Sequence, residues 1–282
     1  MRDGGVLFYY LIFFLYLCTR KCDTIKKIVI DNFDYLLLSR YYITFSYDGA
    51  RYHGWQVQPN GISVQEEMQK ALAMLLRKPM EVVGAGRTDA GVHAAKMVAH
   101  FDCDMPIDTS HLAYKLNRVL PRDIAVDNIR LVGDDMHARF SAVARTYHYF
   151  IHTKKDPFVD DYSCQLGYEL DFELMNEAGR ILTTYDDFAA FCKSHTDVKT
   201  TLCQVSEARW EEMSPHHYRF TITANRFLRN MVRAVVGTLV DVGRGRVSID
   251  EFRGIIESGK RTKAGESMPA KALFLVDVAY PE

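Results

Sequence analysis

The stretch GAGRTDAGVH, residues 84–93, places three glycines within eight positions and joins two strand-like segments, residues 81–84 and 96–103. Because strands flank it, the stretch predicts a tight, irregular loop with positive φ angles. Loops held between strands are favoured places for catalytic groups, and Asp89 is the carboxylate that this loop carries. An aspartate in such a loop can also do no more than form an Asx turn, so the loop alone leaves both interpretations open.

Neither the loop nor the cysteines indicate a nucleotide, metal or disulfide site. The loop lacks the Gly-Lys-Ser/Thr end of a P-loop, and it lacks the third glycine and the following helix of a dinucleotide fingerprint. The six cysteines contain no C-x-x-C pair and no His/Cys pattern with the spacing of zinc ligands. We therefore expect no metal, and cysteines that are reduced and mostly buried.

Strands and amphipathic helices alternate on both sides of the loop, and capping boxes start two of the helices, at Ser63 and at Ser248. The pattern predicts strands over residues 41–47, 81–84, 96–103, 124–132, 146–152, 203–211, 217–224 and 273–280, and helices over residues 63–77, 108–120, 171–185, 226–242 and 248–259. This order predicts an α+β fold with antiparallel sheets covered by helices. We expect two α+β domains, residues 40–145 with the glycine-rich loop and residues 146–282.

The first 39 residues differ from the rest because well-patterned sequence begins only after them. Their apolar run, residues 6–18, is too short for a straight membrane span, which needs about 20 residues. Arg2 beside Asp3 makes a poor signal-peptide start, and no small-x-small cleavage site follows, so we do not expect secretion. We expect an atypical N-terminal extension over residues 1–39, such as a start assigned too far upstream produces. A chain shortened to begin near Ser39 should then keep full activity.

The net charge of −1 argues against a nucleic-acid binder, but the charges are unevenly distributed. Residues 226–246 hold five arginines against the single acid Asp241, while residues 156–187 hold nine acids against Arg180. This segregation allows a basic face opposite an acidic one. Two ordinary solvated faces explain the charges equally well, so charge alone decides nothing.

The string GRTDAGVHA, residues 86–94, resembles the catalytic motif of the A-type tRNA pseudouridine synthases. The resemblance extends from about residue 42 to 281 through further segments in the family's order: YDG at 47–49, YHGWQ at 52–56, SVQ at 63–65, Leu120-Pro121, HARFSA at 137–142, RTYHY at 145–149, NMVRAVVG at 230–237 and LFLV at 273–276. Ala272 stands where the family often has glycine, and residues 1–39 have no counterpart. The resemblance implies two subdomains of the pseudouridine-synthase type, with antiparallel sheets flanked by helices.

The resemblance also implies the roles of four residues. Asp89 takes the place of the essential aspartate, which attacks the target nucleoside or otherwise starts cleavage of its glycosidic bond. Tyr147 matches the tyrosine that stacks under the uracil and acts as a base in a later step. Arg233 matches the arginine that pairs with the catalytic carboxylate, and Arg87 matches the arginine that helps to extrude the target base.

These roles fit the chemistry of converting uridine to pseudouridine. The reaction breaks the N1–C1′ bond and forms a C5–C1′ bond without net redox change, so no cofactor is expected. A carboxylate can attack an anomeric carbon if it stays ionised, and an always-charged arginine beside Asp89 favours that form. The uracil must leave its stack at a cost of a few kcal/mol, which favours an aromatic face such as Tyr147 and an inserted side chain such as Arg87.

Several of these residues also have plainer interpretations. On an alternating strand Tyr147 shares a face with Tyr149 and Ile151, as a core tyrosine would. On the predicted helix the spacing of Arg226, Arg229 and Arg233 gives one basic face, which is either solvated or tracks RNA phosphates. With the resemblance in hand we expect RNA contacts from Arg226 and Arg229, and backbone contacts to RNA from the remaining two candidates, Arg139 and Arg145.

The expected protein is thus a cofactor-free isomerase that modifies uridines in the anticodon stem-loop of tRNA. The resemblance implies nucleotide positions 38 to 40, a homodimer with the tRNA lying across both subunits, and a cytoplasmic location. The alternative from another class is a non-catalytic RNA-binding protein or chaperone on the same scaffold. A phosphotransferase that uses Asp89 is disfavoured because no Mg²⁺-binding carboxylate cluster accompanies the loop.

Overall fold

A computed structural model describes residues 38–193 and 199–281. The expected N-terminal extension, with its apolar run at residues 6–18, lies outside the described residues apart from Leu38 and Ser39. The described chain forms fourteen strands and α-helices: β1 Ser39–Tyr47, α1 Val64–Leu76, β2 Val83–Gly84, β3 His93–Cys103, α2 Thr109–Val119, β4 Ile124–Val132, β5 Ala144–His152, β6 Cys164–Gln165, α3 Phe172–Leu182, β7 Val205–Ser214, β8 His217–Ala224, α4 Met231–Gly243, α5 Ile249–Ser258 and β9 Leu273–Ala279. No helix among these residues is long and apolar enough to cross a membrane.

The nine strands form one mixed sheet in the order β4-β1-β3-β9-β5-β8-β7, with β2 paired to β3 and β6 to β5. The expected α+β class is confirmed. The sheet is not wholly antiparallel, because β9 runs parallel to β3 and β6 runs parallel to β5. β9 lies between the two halves of the sheet. It is antiparallel to β5 on one side and parallel to β3 on the other.

The position of β9 brings the end of the glycine-rich loop close to Tyr147. Leu275 of β9 pairs with Ala94 of β3 on one side and with Tyr147 of β5 on the other. Neighbouring strands lie about 4.8 Å apart, so two strand spacings, roughly 10 Å, separate the backbones of Ala94 and Tyr147. The side chain of Tyr147 packs against both hydrophobic clusters of the molecule, one under each half of the sheet.

Helix starts follow the capping rules where the sequence predicts them. The Ser63 hydroxyl accepts a hydrogen bond from the Glu66 backbone N–H. Both reciprocal bonds of a capping box form between Ser248 and Glu251.

The predicted helix over residues 226–242 is wrong at its start, because α4 begins only at Met231. The Arg229 carbonyl accepts from the Lys193 backbone N–H at 3.0 Å. Asn230 has a left-handed conformation, with φ of 65°. Since these features interrupt helical geometry, Arg226 and Arg229 lie in a turn before the helix and do not share a helix face with Arg233.

Candidate active site

The loop that carries Asp89 is fixed through the residue before it. The Thr88 hydroxyl forms a buried 2.8 Å hydrogen bond with the Tyr47 hydroxyl. The Thr88 carbonyl lies against Gly54, where a Cβ would stand 2.3 Å from the carbonyl oxygen, and Gly54 has a φ of +88°. Only glycine fits there, for reasons of space and of backbone conformation. Thr88 is therefore held by both its side chain and its backbone, and Asp89 is placed at the surface of a rigid frame.

A buried histidine fastens the far end of the loop to the strand that joins the two halves. His93 is 1% exposed, and its Nδ1 accepts a 3.0 Å hydrogen bond from the Gly49 N–H. Its Nε2 lies 3.1 Å from the Lys271 carbonyl, and its Nδ1 also lies 2.9 Å from Asp48 Oδ1, so both ring nitrogens have polar partners. Burial lowers the pKa of His93, although Asp48 and the Lys271 carbonyl oppose the shift. The neutral ring thus links β3 to the segment that leads into β9.

Two guanidinium groups flank the Asp89 carboxylate. Arg233 Nη1 lies 3.7 Å from Asp89 Oδ2, and Arg229 Nε lies 3.9 Å from Asp89 Oδ1. These are ion pairs without direct hydrogen bonds. Asp89 is 28% exposed, Arg233 21% and Arg229 57%, so the carboxylate is open on one side while its charge is compensated by two cations.

The carboxylate opens into a cleft of about 730 Å³ with a strongly basic lining. The cleft is lined by Asp89, Ala90, Lys193, Arg229, Asn230, Arg233, Arg261 and Ser267. Four cations therefore surround one carboxylate, and this wall suits an anionic ligand better than a neutral one.

Arg233 is held in place by the segment that crosses α4. Its Nε donates to the Met268 carbonyl at 2.5 Å, and the Met268 N–H donates to the Arg233 carbonyl at 3.2 Å. This segment approaches so closely that a Cβ on Gly237 would stand 1.8 Å from the Glu266 carbonyl oxygen. Glycine at position 237 is thus required for the crossing that orients Arg233 toward Asp89.

The same crossing organises a second layer behind Arg233. The Ser267 hydroxyl lies 2.6 Å from Asn230 Nδ2 and 2.8 Å from Arg261 Nη2. Arg261 also donates to the carbonyls of Ala264 and Gly265. The cleft wall formed by these residues is therefore connected by hydrogen bonds from side to side.

Tyr147 is partly buried and lies within electrostatic reach of this carboxylate. Its ring meets the ring of Phe227 edge to face, with centroids 5.1 Å apart. Burial and the negative charge of Asp89 raise the pKa of Tyr147 to about 12. The phenol is therefore neutral near pH 7, and its ionisation depends on the charge that Asp89 carries.

The structure brings some of the predicted residues together and leaves others apart. Asp89, Arg229 and Arg233 meet in the cleft, and Tyr147 lies within electrostatic reach of Asp89. The remaining arginines lie elsewhere: Arg87 and Arg139 are exposed, Arg226 is partly buried, and Arg145 donates to four backbone carbonyls.

Several cleft residues were not predicted from the sequence. Arg261 belongs to the short basic run Lys-Arg-Thr-Lys at 260–263, which is a signal that the sequence offered. Lys193, Ser267 and Phe227 carry no comparable signal, because they reach the site only through tertiary packing.

Within residues 38–193 and 199–281, no group of three or more His, Cys, Asp or Glu side chains is placed to hold a metal ion. Cys103, Cys164, Cys192 and Cys203 form no disulfide and are buried.

Comparison with known proteins places this arrangement in a family. The family model described as tRNA pseudouridine synthase matches residues 43–141 and 185–281. The tRNA pseudouridine synthase A of Bacteroides fragilis is 56% identical over 246 residues, which cover 87% of this chain and 98% of the relative. The enzyme of the same name from Porphyromonas gingivalis is 52% identical over 247 residues, covering 86% and 98%. The one from Bacillus subtilis is 42% identical over 241 residues, covering 84% and 97%. The chain therefore belongs to the tRNA pseudouridine synthase family.

Proposed function

We propose that this protein isomerises uridine to pseudouridine in the anticodon stem-loop of tRNA, at nucleotide positions 38 to 40, with Asp89 as the attacking group and without a cofactor. The observation that carries the proposal is the carboxylate of Asp89 in a basic cleft, flanked by Arg229 and Arg233 and next to the phenol of Tyr147. Membership of the family supplies the reaction class.

The geometry supports a role for Asp89 as nucleophile toward C1′ of the target sugar. The two ion-pair distances of 3.7 and 3.9 Å leave the carboxylate oxygens outside direct hydrogen bonds to the guanidinium groups. A carboxylate whose oxygens are not held in direct hydrogen bonds to its cationic neighbours can act as a nucleophile. The Asp89–C1′ bond forms as the N1–C1′ bond breaks, and the uracil turns. C5 then attacks C1′ as the Asp89–C1′ bond breaks, which releases the carboxylate, and N1 gains a proton as C5 loses one.

Tyr147 is suited to act late in this sequence. The charge of Asp89 contributes to the raised pKa of the phenol. C5 loses its proton only after the C5–C1′ bond has formed and Asp89 has left C1′ as a carboxylate, so the phenol must pass on its own proton as it takes the one from C5. The ring, backed by Phe227, offers the aromatic face on which the detached uracil stacks.

The basic side chains around the cleft supply the electrostatic attraction for RNA. Arg87, Arg139, Arg226 and Arg229 are exposed or partly buried, and in the proposal they contact phosphates or the displaced base. We further propose that the protein acts in the cytoplasm as a homodimer with tRNA across both subunits. The buried cysteines Cys103, Cys164 and Cys203 of the described residues form no disulfide, which fits a reducing compartment.

The proposal is tested by pseudouridine formation in an unmodified tRNA transcript with EDTA present. We compare the wild type with Asp89→Asn, and with Glu173→Gln as a matched control at an exposed carboxylate on α3. The expected result is conversion at positions 38 to 40 by the wild type and the control, and none by Asp89→Asn. Binding of tRNA without conversion by any of the three proteins would move the assignment to an RNA-binding module or chaperone.

A further inference from the structure

Arg145 uses its guanidinium in a way that differs from the exposed arginines. Nη1 donates to the carbonyls of Ala142 at 2.9 Å and Asn225 at 2.7 Å. Nη2 donates to the carbonyls of Ala85 at 3.0 Å and Arg139 at 2.6 Å. These four bonds use all four hydrogens on the two terminal nitrogens, so neither terminal nitrogen has a hydrogen left for a phosphate, and only the Nε–H lies outside this set.

The four carbonyls belong to three segments, two of which carry residues that line the cleft. Ala85 opens the loop that carries Asp89, four residues further on. Asn225 opens the turn that carries Phe227 and Arg229. The other two carbonyls lie in the connection between β4 and β5. Arg145 itself lies on β5, two positions before Tyr147. Its side chain therefore links the loop of Asp89 and the turn of Arg229 to the strand that carries Tyr147.

The environment of Arg145 suits a fixed structural cation. Its side chain is partly buried, and burial lowers the pKa of the guanidinium from its usual value, although Tyr280 and Tyr147 oppose the shift. A guanidinium stays charged under such conditions, and its planar fork can serve four acceptors at once. A lysine at this position has one charged nitrogen with three hydrogens, so it cannot reproduce the set of four bonds.

We infer that Arg145 is a positioning residue, which holds the Asp89 loop and the 225–230 turn in register with Tyr147 and does not contact RNA. This inference replaces the RNA contact that the sequence predicts for Arg145, and it rests on the proposed function. If Arg145 positions the reacting groups, its replacement should lower kcat, because an error of about 1 Å in their placement can cost roughly 100-fold in rate.

The first experiment measures kcat and the Kd for tRNA, each across a series of salt concentrations, for Arg145→Lys. The expected result is a fall in kcat of about 100-fold with Kd and its salt dependence unchanged. Arg209→Lys, the same replacement on the edge strand β7, serves as the matched control and should match the wild type. Arg139→Gln should show the opposite pattern, a weaker Kd and a salt slope smaller by about one unit, as expected for the loss of one phosphate contact.

A second experiment reports on the loop without using activity. Trp55 is 3% exposed and packs against Gly84 at the start of the loop, and the other tryptophan of the chain is Trp210. In a Trp210→Phe background, acrylamide should quench Trp55 fluorescence more strongly in Arg145→Lys than in the protein with Arg145 intact. Arg145→Ala should lose kcat likewise, and millimolar guanidinium should restore part of it, since the ion fills the vacated site.

The outcomes separate the inference from the function on which it rests. A weaker Kd, a smaller salt slope and an intact kcat in Arg145→Ala, which removes the charge, would overturn the inference and make Arg145 an RNA contact. Unchanged kcat together with unchanged quenching of Trp55 would overturn it as well. A wild type that binds tRNA but forms no pseudouridine would count against the proposed function, while the quenching experiment still decides whether Arg145 positions the loop.

Discussion

Arg233 is the residue whose geometry most restricts what can replace it. Its Nη1 faces Asp89 at 3.7 Å while its Nε donates to the Met268 carbonyl, so the fork serves the carboxylate and the backbone together. Lysine supplies the charge but not both contacts. We expect Arg233→Lys to lower kcat about 100-fold, the scale found when one preorganised electrostatic partner is lost, with a Kd for tRNA within about threefold of the wild type. Steady-state kinetics and filter binding measure both quantities, and Arg253→Lys, at an exposed arginine on α5, is the control. An unchanged kcat would mean that Arg229 alone compensates Asp89.

At this scale the sequence predicts proximity better than it predicts function. It places Arg233 beside Asp89, and the structure agrees, because a long motif match constrains both positions. It does not predict that Arg145 serves four protein carbonyls, since an arginine in a sequence carries no mark of its acceptors. Lys193 was missed for the same reason. Its approach to the cleft depends on the bond between its backbone N–H and the Arg229 carbonyl.

Strand β3 carries a histidine whose burial makes the fold sensitive to acid. His100 is 5% exposed, and its Nδ1 accepts a 3.1 Å hydrogen bond from the Ala138 N–H in the β4–β5 connection. Burial, assisted by the charges of Arg40 and His137, lowers the pKa of His100 to about 4. An unfolded histidine has a pKa near 6.5, so between about pH 6.5 and 4 the unfolded chain binds a proton that the folded chain does not. The contribution of His100 to the free energy of unfolding is therefore complete above about pH 6.5. It is lost as the pH drops through this window, which lowers the free energy of unfolding by roughly 3 kcal/mol.

His100→Asn tests this linkage, because the asparagine Oδ1 replaces the Nδ1 acceptor and does not titrate. Urea denaturation at pH 7 and pH 4.5 should give a smaller loss of unfolding free energy in the variant than in the wild type. His111→Asn, at an exposed histidine on α2, should leave the wild-type loss unchanged. Equal losses in His100→Asn and the wild type would contradict the assignment of the acid sensitivity to β3.

Helices and strands that have capping residues or prolines at their ends were predicted well from the sequence. The exception is the start of the helix predicted over residues 226–242, where the chain contacts distant segments. α2 has the expected limits because Asp108 caps its start and Pro121 follows its last turn. The predicted helix over residues 226–242 has continuous helical spacing, and nothing local forbids its first turn. Two contacts from distant segments accompany its start: the Lys193 backbone N–H donates to the Arg229 carbonyl, and the Asn230 side-chain Nδ2 donates to the Ser267 hydroxyl. Neither contact can be predicted from a single sequence, because both join segments that are far apart along the chain.

Across the whole molecule, β9 determines whether the two halves behave as one unit. The order of elements predicts two α+β domains, with a boundary after residue 145, and that boundary stays a prediction. The continuous sheet was not predictable, because the partner of a strand far from it in sequence is set by packing and not by its own pattern. Leu275 belongs to the cluster under the first half, while its neighbour Leu273 belongs to the cluster under the second. β9 therefore couples the two cores through two residues that are two positions apart and lie on the same face of one strand.

This coupling predicts a single unfolding transition. Trp55 lies in the cluster under the first half of the sheet and Trp210 in the cluster under the second. Trp210→Phe therefore leaves Trp55 as a fluorescent reporter of the first half, and Trp55→Phe leaves Trp210 as a reporter of the second. Both reporters should give the same urea midpoint. Leu275→Ala removes a side chain that is 2% exposed, and it should lower the unfolding free energy by about 2–5 kcal/mol and shift both midpoints together. Val57→Ala, at an exposed apolar residue, is the control. If Leu275→Ala moved the Trp55 midpoint alone, the halves would unfold independently, and β9 would be an element of one half that only rests against the other.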